Sequence, residues 1–230
     1  MKEIYKGFYK DSTGTCEIEV KNERRLTIDI DGVEFYGSEF DDLSVDDKSK
    51  YTAEQLARFT FLRTSIYQTD RFVETLCNCS IEIVMPQVII DALNNREFHS
   101  DLTIINSLGA PRAEQNRGID HEQVTLSLTI AGTTYTGTGG DFECAFDSIW
   151  KQFSNQYHFK NCYGCMYGDY SVYGQSTFGA MLCFMNQKEA YSKVTDKQEY
   201  MQLGPPDKHV QETYCCDQYE IRRKGAGYRG

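Results

Sequence analysis

The chain has 230 residues, with 34 acidic against 24 basic side chains and a formal net charge of −10, the opposite of the balance a general duplex-DNA binder carries. Hydrophobic residues make up 40% and charged residues 25%, which excludes a disordered chain, and the length suffices to bury roughly 70% of the unfolded surface. Tyr and Phe number 16 and 13 against a single Trp, a load that favours strands. Residues 1–6 are charged and lack an apolar leader core, and the longest apolar run, 81–90, is broken by Glu82, Pro86 and Gln87. The expectation is a soluble cytoplasmic protein with neither a membrane nor a nucleic acid as partner.

In chain order, residues 15–21 alternate around Cys16, Ile18 and Val20 after a Thr13-Gly14 turn and predict a strand. Residues 26–37 alternate Leu26, Ile28, Ile30, turn at Asp31-Gly32 and resume with Phe35, which predicts a β-hairpin. Thr52 with Gln55 three positions on forms a capping-box pattern, and Leu56, Phe59 and Leu62 continue at helical spacing, so 52–64 is expected to be a helix. Strands are expected at 71–76 and 80–90, with Pro86 marking an edge or bulge, and at 102–105, followed by a surface loop over 111–121. Residues 126–137 align without a gap on 26–37 and predict a second hairpin turning at Ala131-Gly132. The repeat fits either an old duplication or the limited chemistry of tight turns. Asp141 caps a helix expected over 141–154, with Phe142, Ala145, Phe146, Ile149, Trp150 and Phe153 on one face. A third helix is expected at 188–202, stopped by Gly204-Pro205-Pro206. The fold class read from this pattern is α+β: a mainly antiparallel β body over 1–155 with a few helices, and a Cys-rich, metal-stabilised segment over 156–230 packed on it.

The nine cysteines are unevenly placed. Five lie in the last 69 residues: Cys162, Cys165, Cys183, Cys215 and Cys216. An odd count argues against a fully paired secreted framework, and clusters of this kind in a reducing compartment more often hold a metal. Cys162-Tyr-Gly-Cys165 is a Cys-x-x-Cys turn, and Cys183 and the 215–216 pair add two distant thiols. A tight pair fills two neighbouring vertices of a small tetrahedron, and remote ligands tie in remote segments. Four thiolates leave no vertex for water, so the reading is structural zinc rather than catalytic zinc. An iron–sulfur cluster uses four Cys as well, and reduced core cysteines or a redox pair at Cys162 and Cys165 are the metal-free readings. Cys77 and Cys79, two apart on an expected strand, read as residues of a core face or a strand end rather than as a second metal site.

The run Asn161-Cys-Tyr-Gly-Cys-Met-Tyr-Gly-Asp-Tyr-Ser-Val-Tyr-Gly174, the stretch Phe178-Gly-Ala-Met-Leu-Cys183, the stretch Gln211-Glu-Thr-Tyr-Cys-Cys216 and the end Gly225-Ala-Gly-Tyr-Arg-Gly230 together resemble an uncharacterised bacterial domain family of the Bacteroidetes type. The resemblance is specific over 156–230 and looser upstream. It implies Cys162, Cys165, Cys183 and Cys216 as metal ligands, with Cys215 an additional thiol, and it implies no activity.

Other clusters carry weaker chemistry. The four His residues form no metal-binding spacing, and His158 is a spare ligand at most. Glu39, Asp41, Asp42, Asp46 and Asp47 lack the Gly and terminal Glu of a Ca²⁺ loop and read as a solvated acidic docking face. The terminal Arg222, Arg223, Lys224 and Arg229 either bind an anion beside Gly-x-Gly amides or pair with the acidic body. No nucleophile elbow, Walker loop or dinucleotide fingerprint occurs. Two functions follow. One is a non-enzymatic binding protein, such as an immunity protein countering a basic toxin, with the acidic run steering and Tyr170 and Tyr173 anchoring. The other is an enzyme acting on a phosphate-bearing substrate around Asp169, Tyr170, Arg222 and Arg229. Convergence of Asp169 and the arginines in a deep pocket favours the enzyme; filled contacts favour binding.

Overall fold

The structure is a computed structural model that describes residues 3–23, 25–65, 72–112, 118–172, 178, 181–223, 225 and 227–229. The chain forms two compact units, residues 1–85 with 103–126, and residues 86–102 with 127–230. Residues 156–230 therefore share their unit with 86–102 and 127–155, a different division from the boundary at 155 expected from composition. Among the described residues, no helix is long and apolar enough to cross a membrane.

The first unit is built on antiparallel strands. They are β1 (Glu3–Asp11), β2 (Gly14–Asn22), β3 (Leu26–Ile30), β4 (Val33–Gly37) and the nearer parts of β7 (Cys79–Asp91), β8 (Arg96–Leu108) and β9 (Glu122–Ile130), in the order β4-β3-β2-β1-β7-β8-β9. A separate pair joins β5 (Thr60–Ser65) to β6 (Phe72–Cys77). Burial alternates along the strands as period-two patterning requires: Ile18 and Val20 on β2 and Ile28 and Ile30 on β3 point inward. Phe59 packs edge-on against Tyr9 and Phe35 in the core.

Both expected hairpins form. Leu26 pairs with Gly37 and Ile30 with Val33 around Asp31 and Gly32, whose φ values are +50° and +79°. The second hairpin joins β9 to β10 (Thr133–Gly139) around Ala131 and Gly132, at φ +49° and +84°. Both are two-residue turns with left-handed backbone at each central position, the geometry that matches strand twist. Ala131 holds this conformation despite its Cβ.

Three expectations change. The helix expected at 52–64 ends after α1 (Ala53–Ala57). Its capping box is present, with Thr52 and Gln55 bonding reciprocally, but Thr60, Phe61 and Thr64 favour strand, and β5 pairs residue for residue with β6 from Thr60–Cys77 to Ser65–Phe72. The helix expected at 188–202 is two short ones, α3 (Lys188–Tyr191) and α4 (Lys197–Met201). Asp196 accepts from the Glu199 amide and Glu199 from the Thr195 amide and hydroxyl, so this polar group starts a new helix instead of continuing the old one. Cys77 and Cys79 do not share a strand but fall at strand ends, one of the two places expected: they flank Asn78, at φ +54°, between β6 and β7. Both are buried, and burial pushes the thiols up to about 11 and about 12, which keeps them protonated as core residues.

The second unit carries β10, α2 (Phe142–Gln152), β11 (Tyr157–Phe159), which pairs with the end of β7 at Ile89–Asp91, and the remaining parts of β7, β8 and β9. A small three-stranded sheet orders β12 (Gly168–Asp169), β13 (Met181–Cys183) and β14 (Lys208–Val210), with Gly168 opposite Cys183 and Cys183 opposite Lys208. Asp141 caps α2 by accepting from the Cys144 amide at 2.7 Å, and the expected face buries Phe142, Ala145, Phe146 and Ile149. The helix lies close to β10 because residue 137 is glycine: a Cβ there would meet the Ala145 carbonyl oxygen at 2.2 Å.

An Ala131→Gly replacement removes the cost of a Cβ in the left-handed region, about 1–2 kcal/mol, and adds roughly 0.5–1 kcal/mol of chain entropy to lose on folding. Urea unfolding is expected to show a net gain of about 0.5–1 kcal/mol at unchanged m-value; a loss contradicts the turn geometry.

Candidate functional site

The Cys-x-x-Cys turn is positioned from below by a buried amide pair. Gln87 sits on the inward face of β7, where its neighbours at period two are Met85 and Ile89. Its Oε1 accepts from Asn161 Nδ2 at 2.9 Å, and its Nε2 donates to the carbonyls of Pro86 and Thr213. Asn161 Oδ1 in turn accepts from the Gly164 amide at 3.0 Å, and the Cys165 amide donates to the Cys162 carbonyl at 3.2 Å. The turn lies directly on β11: a Cβ on Gly164 would meet the Phe159 carbonyl oxygen at 2.0 Å. Only glycine permits that approach.

Backbone bonds then gather the other cysteines. The Cys162 and Tyr163 amides donate to the Tyr214 and Glu212 carbonyls, and the Met166 amide to Glu220. Cys165 bridges Ile221, and Cys183 faces Gly168 across the β12–β13 pair. Cys162, Cys165 and Cys183 are buried, Cys216 is half-buried and Cys215 exposed. Burial first, and then the like charges of Cys165, Cys183, Cys216 and Cys215, push the Cys162 thiol up; burial likewise raises Cys183, with Cys165 and Cys216 adding to it. Among the described residues, no group of three or more His, Cys, Asp or Glu side chains is arranged to hold a metal ion. The four thiols share one neighbourhood without a ligand cage.

The Tyr-rich stretch expected at the surface is core instead. Tyr163, Tyr167 and Tyr170 are 3%, 7% and 4% exposed. Tyr163 stacks on Phe146 at 4.5 Å and donates its hydroxyl to Asp147 at 2.5 Å. Tyr167 donates to Glu220 at 2.9 Å, and the Tyr170 carbonyl accepts from the Tyr200 hydroxyl at 2.9 Å. Tyr170 is thus not presented for docking, because its ring fills the interior; Tyr173 lies outside the described residues. A second aromatic cluster around Phe184, Tyr191 and Tyr200 completes this core.

Asp169 does not face a pocket. It is 1% exposed, its Oδ2 accepts from the Tyr191 hydroxyl at 2.5 Å, and its Oδ1 accepts from the Tyr170 amide. Arg222 donates to the carbonyls of Gly168 and Met166 and to the Tyr191 oxygen. These are filled contacts that fasten the chain's last stretch to β12.

The acidic run lies in the first unit, in the loop after β4, where Asp41, Asp42, Asp46 and Asp47 are exposed and Glu39 half-buried. Its carboxylates are held locally: Asp42 accepts from the Ser38 and Glu39 amides, Asp46 pairs with Arg25 at 2.9 Å, and Asp47 caps the single turn Lys48–Lys50. The Ser49 hydroxyl and amide hold the Asp47 carboxyl below its usual value.

The sequence did not single out a cavity in the second unit. Glu143, Asp147 and Trp150 project from one face of α2 at i, i+4 and i+7, and His158, Tyr163 and Arg229 close the space, which measures about 220 Å³. The Arg229 guanidinium lies 4.5 Å over the Tyr163 ring and 5.4 Å from that of Tyr170, and its Nη2 donates to the Tyr163 carbonyl. Burial pushes the Glu143 carboxyl from 4.5 up to about 7; Arg229 lowers it, and Asp147, Asp141 and Asp169 raise it. Burial also lowers the His158 ring below its usual value. The available signal was Glu143 and Asp147 beside Trp150 at the edge of the apolar face of α2, where Trp150 lies one turn from Phe146.

A family model described as a family of unknown function (DUF6304) matches residues 3–168. The chain belongs to that family. The match covers both units in part and ends just past the Cys-x-x-Cys turn, so the DUF6304 region includes Cys162 and Cys165 but neither Cys183 nor Cys216. Its weight falls on the strand-rich part, whereas the resemblance read from the sequence was centred on 156–230. No curated protein and no solved structure matches the chain.

Two consequences are measurable. Gly164→Ala pushes a Cβ into the Phe159 carbonyl and is expected to cost about 1–3 kcal/mol, read by urea unfolding. Glu143 has a folded-state pKa above its unfolded value, so the folded protein binds more protons between the two, and stability falls as pH rises from about 4.5 to 7. Glu143→Gln is expected to flatten that fall; an unchanged profile contradicts the burial of this carboxyl.

Proposed function

We propose that the protein is a non-enzymatic binding protein whose C-terminal stretch is stapled by one structural zinc ion on Cys162, Cys165, Cys183 and Cys216. Asp169 is the observation that carries the binding reading. The acid on which a phosphate-processing enzyme at Asp169, Tyr170, Arg222 and Arg229 would depend is buried with both oxygens bonded. A group committed this way holds structure, while a general base needs access to a proton on substrate.

Zinc is supported by the company the thiols keep. Burial, with the like charges of the neighbouring thiols, pushes the Cys162 and Cys183 thiols up. A divalent cation reverses the sign of that charge interaction and turns the penalty into attraction. The ligands come from the 162–165 turn, from β13 and from the stretch after β14, so one ion ties three segments that otherwise share only short ladders.

The partner is proposed to be a basic protein, such as a toxin countered by an immunity protein. The exposed carboxylates of Asp41, Asp42, Asp46 and Asp47 support this: local bonds hold Asp42, Asp46 and Asp47 in place, so the loop presents acidic groups with little further ordering.

Elemental analysis of the purified protein is expected to find about one zinc per chain. Cys183→Ser is expected to release it and to speed hydrogen exchange over 157–222 more than over 3–65. Absence of zinc and iron together with freely titratable thiols contradicts the staple. With a basic partner in hand, reversing the charge of Asp41 and Asp42 is expected to slow association and weaken its salt dependence; an on-rate unchanged by both salt and charge contradicts the docking face.

A further inference from the structure

The second unit holds one more feature that the zinc and protein-docking readings do not use. Arg229 Nη1 is buried and has no hydrogen-bond partner among the described residues, while Nη2 of the same guanidinium is engaged with the Tyr163 carbonyl. A buried cationic donor without a hydrogen bond favours an acceptor beside it. Arg229 is also one of the residues lining the cavity of about 220 Å³, room for roughly seven waters.

The walls define what fits. Trp150, Phe159 and Tyr163 supply aromatic surface, and Arg222, Arg223 and Arg229 supply three positive charges. Against them stand two carboxyls. Asp147 accepts the Tyr163 hydroxyl. Glu143, with its carboxyl pushed up to about 7, is protonated in a large share of molecules at neutral pH and then donates a hydrogen bond instead of repelling an anion. Positive charge therefore outweighs negative charge in a lining that also carries aromatic surface. A guanidinium fork matches a carboxylate or phosphate head, and a flat apolar body matches Trp150.

We infer that this cavity is a binding site for a small molecule with an oxyanion head, carboxylate or phosphate, on an aromatic body, the head bonding Arg229 and Arg223 and the body lying against Trp150. Neither the thiols nor the acidic loop contacts the ligand in this site. Glu143 and Arg229 act as positioning groups for the head, and no bond of the ligand is broken.

Trp150 is the single tryptophan of the chain, so its fluorescence reports on this cavity alone. The test titrates the purified full chain with benzoate, phenyl phosphate, inorganic phosphate and neutral benzamide, following Trp150 emission and confirming by calorimetry. A saturable response to benzoate or phenyl phosphate is expected, and the tighter of the two names the head group. Inorganic phosphate and benzamide are each expected to bind about tenfold or more weakly, since each lacks one half of the recognition; charged hydrogen bonds of about 1.5–3 kcal/mol set that scale. Arg229→Gln is expected to weaken binding about tenfold or more. Because Arg229 also supports Tyr163, Arg223→Glu on the exposed rim provides the second variant, expected to lose binding while the circular dichroism spectrum is unchanged. The proposal is overturned if folded wild-type protein shows no saturable response to either aromatic anion, if benzamide binds as tightly, or if Arg223→Glu leaves affinity unchanged.

Discussion

The hydrogen bond between Gln87 and Asn161 is the joint on which the second unit depends. A glutamine on the inward face of a long strand needs partners, because an unpaired buried amide costs about 1–3 kcal/mol. Asn161 supplies one and at the same time folds the next residues into the Cys-x-x-Cys turn through its bond to the Gly164 amide. That turn sets where Cys162 and Cys165 point, where the Tyr163 ring meets Phe146, and where the stretches around Tyr214 and Glu220 dock. The same short run of chain therefore determines the thiol neighbourhood and one wall of the cavity.

The tyrosines explain how so polar a stretch becomes a core. Four of them bury a ring and donate the hydroxyl: Tyr163 to Asp147, Tyr167 to Glu220, Tyr191 to Asp169, and Tyr200 to the Tyr170 carbonyl. A core assembled this way is held by directional bonds as well as by area, which suits a segment with few long strands and helices of four or five residues. A closed metal site at its edge would add the cross-links that such short elements cannot supply.

Much of the strand architecture was legible because its signals are local. Asp31-Gly32 and Ala131-Gly132 between alternating apolar runs dictate hairpins, and Asp141 followed by apolar residues at helical spacing dictates α2. The 52–64 stretch misled because Leu56, Phe59 and Leu62 have helical spacing by coincidence, while the pairing of β5 with β6 is a long-range choice that overrides a five-residue helix. Tyr170 misled for another reason: aromatic residues with a polar tip suit an interface and a bonded core equally, and only the partners decide. Gln87 was read merely as a break in an apolar run, though a lone amide in the buried register of a strand signals a buried polar joint. The cavity was illegible because it joins one face of α2 to arginines some eighty residues later.

We propose that Cys162, Cys165, Cys183 and Cys216 hold zinc in a closed thiolate site. X-ray absorption at the zinc edge of the purified protein tests it most directly, because it reads ligand type and distance together. The account predicts four sulfur neighbours at about 2.3 Å and no light-atom ligand. A first coordination sphere containing nitrogen or oxygen, or no bound zinc above the buffer, would contradict it.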